Sequence, residues 1–405
     1  MSSLAIHRSS EVAATAAAGE PRRVSVEIAD AARLAILRAQ WTDLLGRAAT
    51  PNVFMDPALV GVAAGIEPDA RHRALLAWKT VNGREMLVGV WSFTVGRPRR
   101  SMLLAQMIIV PAYVHGYLST PVIDRDCLDD TLDAMLDSIA FERGLPKIIT
   151  LDMMDTGDTT YQALLRVLTS RGSAPCLFDQ TRRPKLASEL DGKAYLEKAL
   201  SSSTRKKLRQ HRRKLSEKGT LVSTVVTEPE AVRRAVEEFL AMEMSGWKGS
   251  NGTALACNEG EAAFMRGAMA KLAEQDNAAV HSIHLDGKPV SMQLVARAGG
   301  AAFTWKTAYD EAFQDFSPGM LLLEDYTAAF LANKSIGLVD SCSYDDTGYM
   351  SAWQERREVA DLWIDARRGG SLEFRALSGL QKTYRDARAT AKAVYLQWQK
   401  SRKSK

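Results

Sequence analysis

The feature that most constrains this chain is a pattern written twice. Residues 74–81 (ALLAWKTV) read as a strand, Asn82-Gly83 as a turn, and 84–94 (REMLVGVWSFT) as the returning strand. Asn-Gly suits a two-residue hairpin because both central residues need positive φ. A third strand, 102–109, follows a Gly-Arg-Pro-Arg-Arg turn. The same order returns as 279–285, the turn Asp286-Gly287, 288–296, the turn Gly299-Gly300, and 301–307. Each meander leads to a helical pattern, 126–143 and 318–333, and each helix to a β-rich run, 147–151 and 336–342. The expected fold is therefore α/β (α+β), with two copies of one unit in tandem, each a twisted mixed sheet with flanking helices.

Length agrees with two units, since 405 residues exceed one ordinary core and suffice for two of roughly 150–200 residues. The polar stretch TRRPKLASELDG, around residues 182–191, reads as the linker between them. The expected division is a disordered lead-in 1–22, an N-terminal domain 23–185, a C-terminal domain 186–385 and a basic tail 386–405. Charged residues make up 25%, which excludes a mainly disordered chain. Net charge is only +5, too little to indicate a nucleic-acid binder unless it is concentrated. Four scattered cysteines without a CxxC exclude zinc spacing and point to free thiols in a reducing compartment. The run 102–114 is broken by Gln106 and Pro111 and is too short to span a membrane. The alanine run near the start makes a poor signal peptide, so a cytoplasmic location is expected.

Positive charge is concentrated in one place. Seven of the eleven residues 204–214 are basic: Arg205, Lys206, Lys207, Arg209, Arg212, Arg213 and Lys214. A helix over 203–218 is expected, capped by the Ser/Thr run at 201–204 and anchored by Leu208 and Leu215. Arg205, Arg209 and Arg212 are spaced i, i+4, i+7 and share a stripe. The helix suits a solvated basic face paired with acids, a site for a polyanionic substrate, or nucleic acid. The last is the weakest, because no aromatics interleave the charges.

The second meander runs into Ser317-Pro318-Gly319. Ser317 suits an N-cap and Pro318 the first helical position. A strand leading into a glycine-bearing helix start can cradle an anion such as a pyrophosphate; a well-capped helix start alone is the other reading. The six histidines show no metal pair, and no Ser-His-Asp or Cys-His set is readable. No metal site is expected.

With these residues in view the chain resembles the BioF2-like and CelD-like group of GNAT-type acyltransferases, relatives of the Fem peptidyltransferases. The resemblance rests on Ser203-Thr204-Arg205-Lys206-Lys207-Leu208-Arg209, Gly246-Trp247-Lys248-Gly249, Trp305-Lys306-Thr307-Ala308-Tyr309-Asp310-Glu311, Ser317-Pro318-Gly319-Met320-Leu321-Leu322 and Val339-Asp340-Ser341-Cys342. It covers residues 190–370 best. It implies tandem GNAT-like units and an acyl donor, usually acyl-CoA such as acetyl-CoA, as co-substrate rather than bound cofactor. It also implies an amine or hydroxyl acceptor, small or glycan-like, with cell-envelope or polysaccharide metabolism as a setting. The donor set it implies is Thr304, Trp305, Lys306, Ser317, Pro318, Gly319 and Met320. The substrate set is Arg205, Arg209, Arg212, Trp247, Lys248, Tyr309 and Asp310. Asp340, closing its strand, would take the acceptor's proton or hold its ammonium, and Tyr344 or Tyr349 would protonate the leaving thiolate. The run Phe316–Met320 departs from the usual GNAT loop Gln/Arg-x-x-Gly-x-Gly/Ala and offers fewer approachable N–H groups. An aminoacyl-tRNA donor is disfavoured because no long coiled-coil hairpin is inserted. The competing expectation is a non-catalytic carbohydrate- or nucleic-acid-binding module on a decayed GNAT fold.

Overall fold

A computed structural model describes residues 24–67, 69–98, 101–344 and 348–403. The expected lead-in 1–22 lies outside the described residues. The first half contains β1 (Ser25–Ala29), α1 (Ala31–Leu34), α2 (Arg38–Arg47), α3 (Pro57–Ile66), β2 (Arg73–Val81), β3 (Arg84–Gly96), β4 (Met107–Val110), β5 (Val122–Ile123), α4 (Leu128–Phe141), β6 (Ile148–Asp155), α5 (Thr159–Ser170) and β7 (Cys176–Leu186). The second contains α6 (Gly192–Ala199), α7 (Ser202–Ser216), β8 (Leu221–Val226), α8 (Pro229–Ser245), α9 (Trp247–Ser250), α10 (Glu259–Ala273), β9 (Ala278–Leu285), β10 (Lys288–Ala298), β11 (Ala301–Tyr309), α11 (Pro318–Ala332), β12 (Leu338–Asp340), β13 (Glu355–Asp365) and α12 (Leu372–Lys403).

Both hairpins form where the turn dipeptides place them. Asn82 and Gly83 have φ of 50° and 75°, Asp286 and Gly287 of 49° and 78°, so each pair adopts the left-handed backbone a primed turn requires. The third strand of the first meander is shorter than expected, Met107–Val110, because residues 101–106 form no regular element.

The two halves repeat one sequence of strand directions. β1, β2, β3 and β4 are successively antiparallel, and β4 runs parallel to β6. Likewise β8, β9, β10 and β11 are antiparallel, and β11 runs parallel to β12. The final strands are exchanged. β13, from the second half, lies beside β6, and β7, from the first, lies beside β12. β7 and β13 also pair with each other, which joins everything into one sheet. The stretch expected as a linker therefore begins inside a central strand, where Arg183 is completely buried.

Four neighbouring strands are locked there by charge. Arg183 on β7 donates to Asp340 Oδ2 on β12 at 2.6 Å, and Arg357 on β13 donates to the same oxygen. Arg357 also donates to Asp155 on β6. Ions buried this deeply hold their places only while paired.

One apolar core runs under both halves, from Trp41, Phe54 and Trp91 to Phe239, Met269 and Phe303. A second lies under α6, α7 and α11, where Leu208 and Leu215 of the basic helix meet Tyr195, Leu322 and Tyr326. Helix α7 starts as its sequence indicates, with Ser201 Oγ accepting from the Thr204 N–H at 3.1 Å. The expected basic tail, from residue 386, continues α12 rather than forming a separate element.

Candidate functional site

Strands β11 and β12 part company early. Their parallel pairing covers Ala301↔Leu338, Ala302↔Val339 and Phe303↔Asp340, while β11 continues to Tyr309 with β10 on its other edge. Residues 304–309 thus have no strand on the β12 side among the described residues. A bulge falls here too: Leu294 faces Lys306 and Val295 faces Thr304, leaving Trp305 as the extra residue. Bulges re-aim side chains and are common beside active sites. The Trp305 indole donates to the His115 carbonyl at 2.8 Å, and its ring meets Phe54 and Phe264 edge-on. Lys306 donates to the Tyr117 hydroxyl at 2.9 Å and lies over its ring. Burial lowers the Lys306 pKa, opposed chiefly by Glu243. Thr304 Oγ1 donates to the Asp340 carbonyl at 3.2 Å and so sits at the fork itself.

A cavity of about 350 Å³ opens at the far end of this gap. One wall is the end of α8 with α9, contributing Met242, Glu243, Trp247 and Lys248. Another is the end of β11 with the turn after it, contributing Thr307, Ala308, Tyr309, Glu311 and Gln314. The start of α11, Ser317 to Met320, and Tyr349 close it. Its shape depends on Gly249, where a Cβ would stand 1.8 Å from the Met244 carbonyl oxygen. Lys248 Nζ donates to Glu243 Oε1 at 2.7 Å and to the Thr307 carbonyl at 3.1 Å. The other Glu243 oxygen accepts from the Leu255 N–H at 2.8 Å, so a buried carboxylate is fully engaged. Glu311 accepts from the Trp247 N–H at 2.6 Å and ties the two walls together.

The start of α11 differs from the expected cap. Ser317 has φ 53° and ψ 54°, and its side chain makes no cap bond. Instead its carbonyl accepts from the N–H groups of Met320 and Leu321. Pro318 has no N–H, and that of Gly319 has no partner among the described residues. A Cβ on Gly319 would meet nothing closer than the Tyr349 ring at 3.9 Å, so this residue faces open cavity. Burial raises the Tyr349 pKa, opposed by hydrogen bonds with Thr307 and Tyr326. The phenol is therefore protonated at neutral pH.

The structure gathers Trp247, Lys248, Tyr309, Ser317, Pro318, Gly319, Met320 and Tyr349 around one cavity. Other expected site residues lie elsewhere. Asp340 is completely buried; burial would raise its pKa, but Arg183 and Arg357 hold it below the usual carboxylate range. A carboxylate sealed between two guanidiniums is an internal counter-ion and not a proton acceptor, which corrects its expected role. Tyr344 is half exposed and packs against the Tyr117 ring at 5.5 Å, outside the cavity. Asp310 caps the turn after β11 by accepting from the Ala312 N–H. Of the arginine stripe, Arg205 faces Glu197 at 3.4 Å and Arg212 forms a two-pronged pair with Asp325 on α11. Arg209 is exposed. None of the three lines the cavity, and Arg205 and Arg212 tie α7 to α6 and α11. Burial pushes the Cys342 thiol well up, as befits a small core residue. Glu243 and Tyr117 were not legible in the sequence as site residues, since each meets its partner only through the fold.

Among the described residues no group of His, Cys, Asp or Glu is placed to hold a metal. Among them, too, no helix is long and apolar enough to cross a membrane.

Residues 202–345 match the family model described as acetyltransferase (GNAT) domain, so the second half carries the sequence signature of that domain where the gap and cavity lie. No curated protein matches the chain. Among solved structures, FemX superposes with a TM-score of 0.56 at 11% identity, covering 81% of this chain and 96% of FemX. The C-terminal domain (DUF2156) of a putative lysylphosphatidylglycerol synthetase from Agrobacterium fabrum gives 0.50 at 14% identity, covering 86% and 96%. At such identities these likenesses concern the fold, which is a tandem GNAT-like α/β arrangement.

Proposed function

We propose that this protein is an acyltransferase that moves an acyl group from acyl-CoA to an amine by direct attack. The observation that carries this reading is the gap where β11 outruns β12, with a bulge at Trp305 and the unpartnered Gly319 N–H at its far end. A strand edge beyond its last strand pairing suits an extended amide-bearing arm. A helix start with an open N–H suits the phosphates at the end of that arm. Bound acyl-CoA supplies an activated thioester. The Gly319 N–H and the Ser317 hydroxyl would hold its phosphate end, with Pro318 and Met320 shaping the turn, and Thr304, Trp305 and Lys306 would flank the arm. The amine nitrogen forms a bond to the acyl carbon, the carbon–sulfur bond breaks, and the nitrogen's proton is balanced by protonation of the thiolate. Tyr349, protonated and beside Gly319, stands at the phosphate end of this arm and would donate a hydrogen bond to a phosphate oxygen. Trp247, Lys248 and Tyr309 line the same cavity as Gly319 and would flank the phosphate end of the donor. A cell-envelope or polysaccharide acceptor belongs to this reading through the sequence resemblance alone.

Isothermal titration with acetyl-CoA and longer acyl-CoAs tests it. One-to-one binding, with Tyr349→Phe weakening donor affinity severalfold in a folded protein, is the expected outcome. Absence of binding to every CoA thioester would leave a non-catalytic binding module instead.

A further inference from the structure

A second cavity, of about 340 Å³, lies at the seam between the halves and plays no part in the donor site. The first half lines it with Glu67 at the end of α3 and with Tyr113 and His115 from the loop after β4. The second half contributes Glu261 and Phe264 of α10. No lysine or arginine lines it, and neither carboxylate has one within ion-pair distance among the described residues. Their nearest ionisable partners are histidines: His72 at 3.6 Å from Glu67 and His115 at 3.2 Å from Glu261. Two carboxylates therefore face this cavity, one from each half, with no lysine or arginine in an ion pair with either among the described residues. The Glu67 and Glu261 side chains remain 60% and 39% exposed, so both reach solvent. The rings of Tyr113 and Phe264 stand 4.9 Å apart and form an aromatic wall. Carboxylates beside aromatic faces recognise ammonium groups, by charge and by the negative potential of the rings.

Two of its wall residues pack against the bulge beside the gap. His115 accepts the Trp305 indole N–H, and Phe264 meets the Trp305 ring, so two of its walls rest on the bulge of β11. We propose that it binds an ammonium group of the acyl acceptor, an inference that rests on the acyl-transfer reading above. A nitrogen clamped by carboxylates stays protonated and cannot attack. The acceptor is therefore a diamine or polyamine, anchored through one nitrogen and acylated on another. The free nitrogen bonds to the acyl carbon, the thioester carbon–sulfur bond breaks, and the proton lost from nitrogen ends on the thiolate.

The test is calorimetric titration of 1,5-diaminopentane and spermidine into the full chain, with pentane-1,5-diol as the uncharged control and acetyl-CoA measured separately. Glu67→Gln, Glu261→Gln and the double variant keep size and hydrogen bonding, and their melting temperatures check folding. The expected result is that the amines bind and the diol does not. The double variant should bind the amines at least tenfold more weakly, raise their KM equally and leave acetyl-CoA affinity unchanged. Amine binding that is absent, or equal in wild type and double variant, overturns the inference. If acetyl-CoA binds in that case, the acyl-transfer reading survives without this acceptor. If the amines bind through Glu67 and Glu261 but no CoA thioester binds, the cation site stands and the acyl-transfer reading falls.

Discussion

Replacing Gly319 by aspartate places a charge where the donor's phosphates are proposed to sit. The substitution is sterically mild, because a Cβ there meets only the Tyr349 ring at 3.9 Å. It falls in the first turn of α11, where a carboxylate is favoured by the helix dipole by about 0.3–1 kcal/mol. The fold should therefore be as stable as wild type or slightly more so. Donor binding should move the other way. Two unit charges about 6 Å apart repel by roughly 1.4 kcal/mol at an effective dielectric of about 40. A pyrophosphate carries two such charges, giving about 2–3 kcal/mol, or about 30- to 150-fold in affinity. Gly319→Asn has nearly the same bulk without the charge and should lose only a few-fold. The assay is calorimetric titration with acetyl-CoA beside a thermal melt for each variant. Equal donor affinity in the Asp and Asn variants, with both folded, would refute the phosphate position.

Three further outcomes come from the packing. Asp340→Asn leaves Arg183 and Arg357 buried without their countercharge and should cost about 3–5 kcal/mol in urea unfolding at pH 7. Because the Asp340 pKa is held low, wild-type stabilisation from this group is present above the ordinary carboxylate range and lost as pH falls through its folded value. Replacing Arg205, Arg209 and Arg212 together by alanine should cost about 1–2 kcal/mol of stability, chiefly through the Arg212–Asp325 pair, and leave donor affinity within twofold; a large rise in donor Kd would return the stripe to the site. His281, whose pKa burial lowers to about 4, is neutral in the fold and charged in the unfolded chain at mildly acid pH. Stability should fall by about 3 kcal/mol as pH drops from 6.5 to 4, and His281→Leu should flatten that part of the urea-midpoint profile.

The repeat was legible because its signals are local. Asn82-Gly83 and Asp286-Gly287 announce their turns within two residues, and the capped basic helix announces its start in Ser201 to Thr204. The exchange of β7 and β13 was not legible, because it pairs strands far apart in the chain. Thr181 faces Val359 and Lys185 faces Glu355, and no short-range pattern encodes such partners. The same distance explains two misreadings. Arg182 to Asp191 looked like a linker because charge and proline usually mark the surface, yet Arg183 is buried against Asp340. Asp340 looked catalytic because it closes a strand beside a helix start, but the exchanged strands bring two arginines onto it. The cavity residues from Ser317 to Met320 were found because helix starts carry chemistry in their backbone. Tyr117 and Glu243 carry theirs only through contacts made in the fold.

The two halves share a strand plan but not a donor gap, and the difference lies in one strand. In the second half β11 runs six residues past its last pair with β12, from Thr304 to Tyr309, and so leaves an edge for a ligand. In the first half β4 ends at Val110, the same residue at which its pairing with β6 ends, so no edge is left over. The loop after β4 crosses to the other half, where Tyr113 meets Phe264, His115 holds Trp305 and Tyr117 holds Lys306. Its position is set by Arg183, which donates to the Tyr117 carbonyl at 2.7 Å while paired with Asp340. The exchanged strand thus fixes the loop, and the loop fixes the bulged stretch of β11. On this reading the first half has become one wall of a site whose donor side belongs to the second, and the second half expressed alone would lose the partners of Trp305 and Lys306.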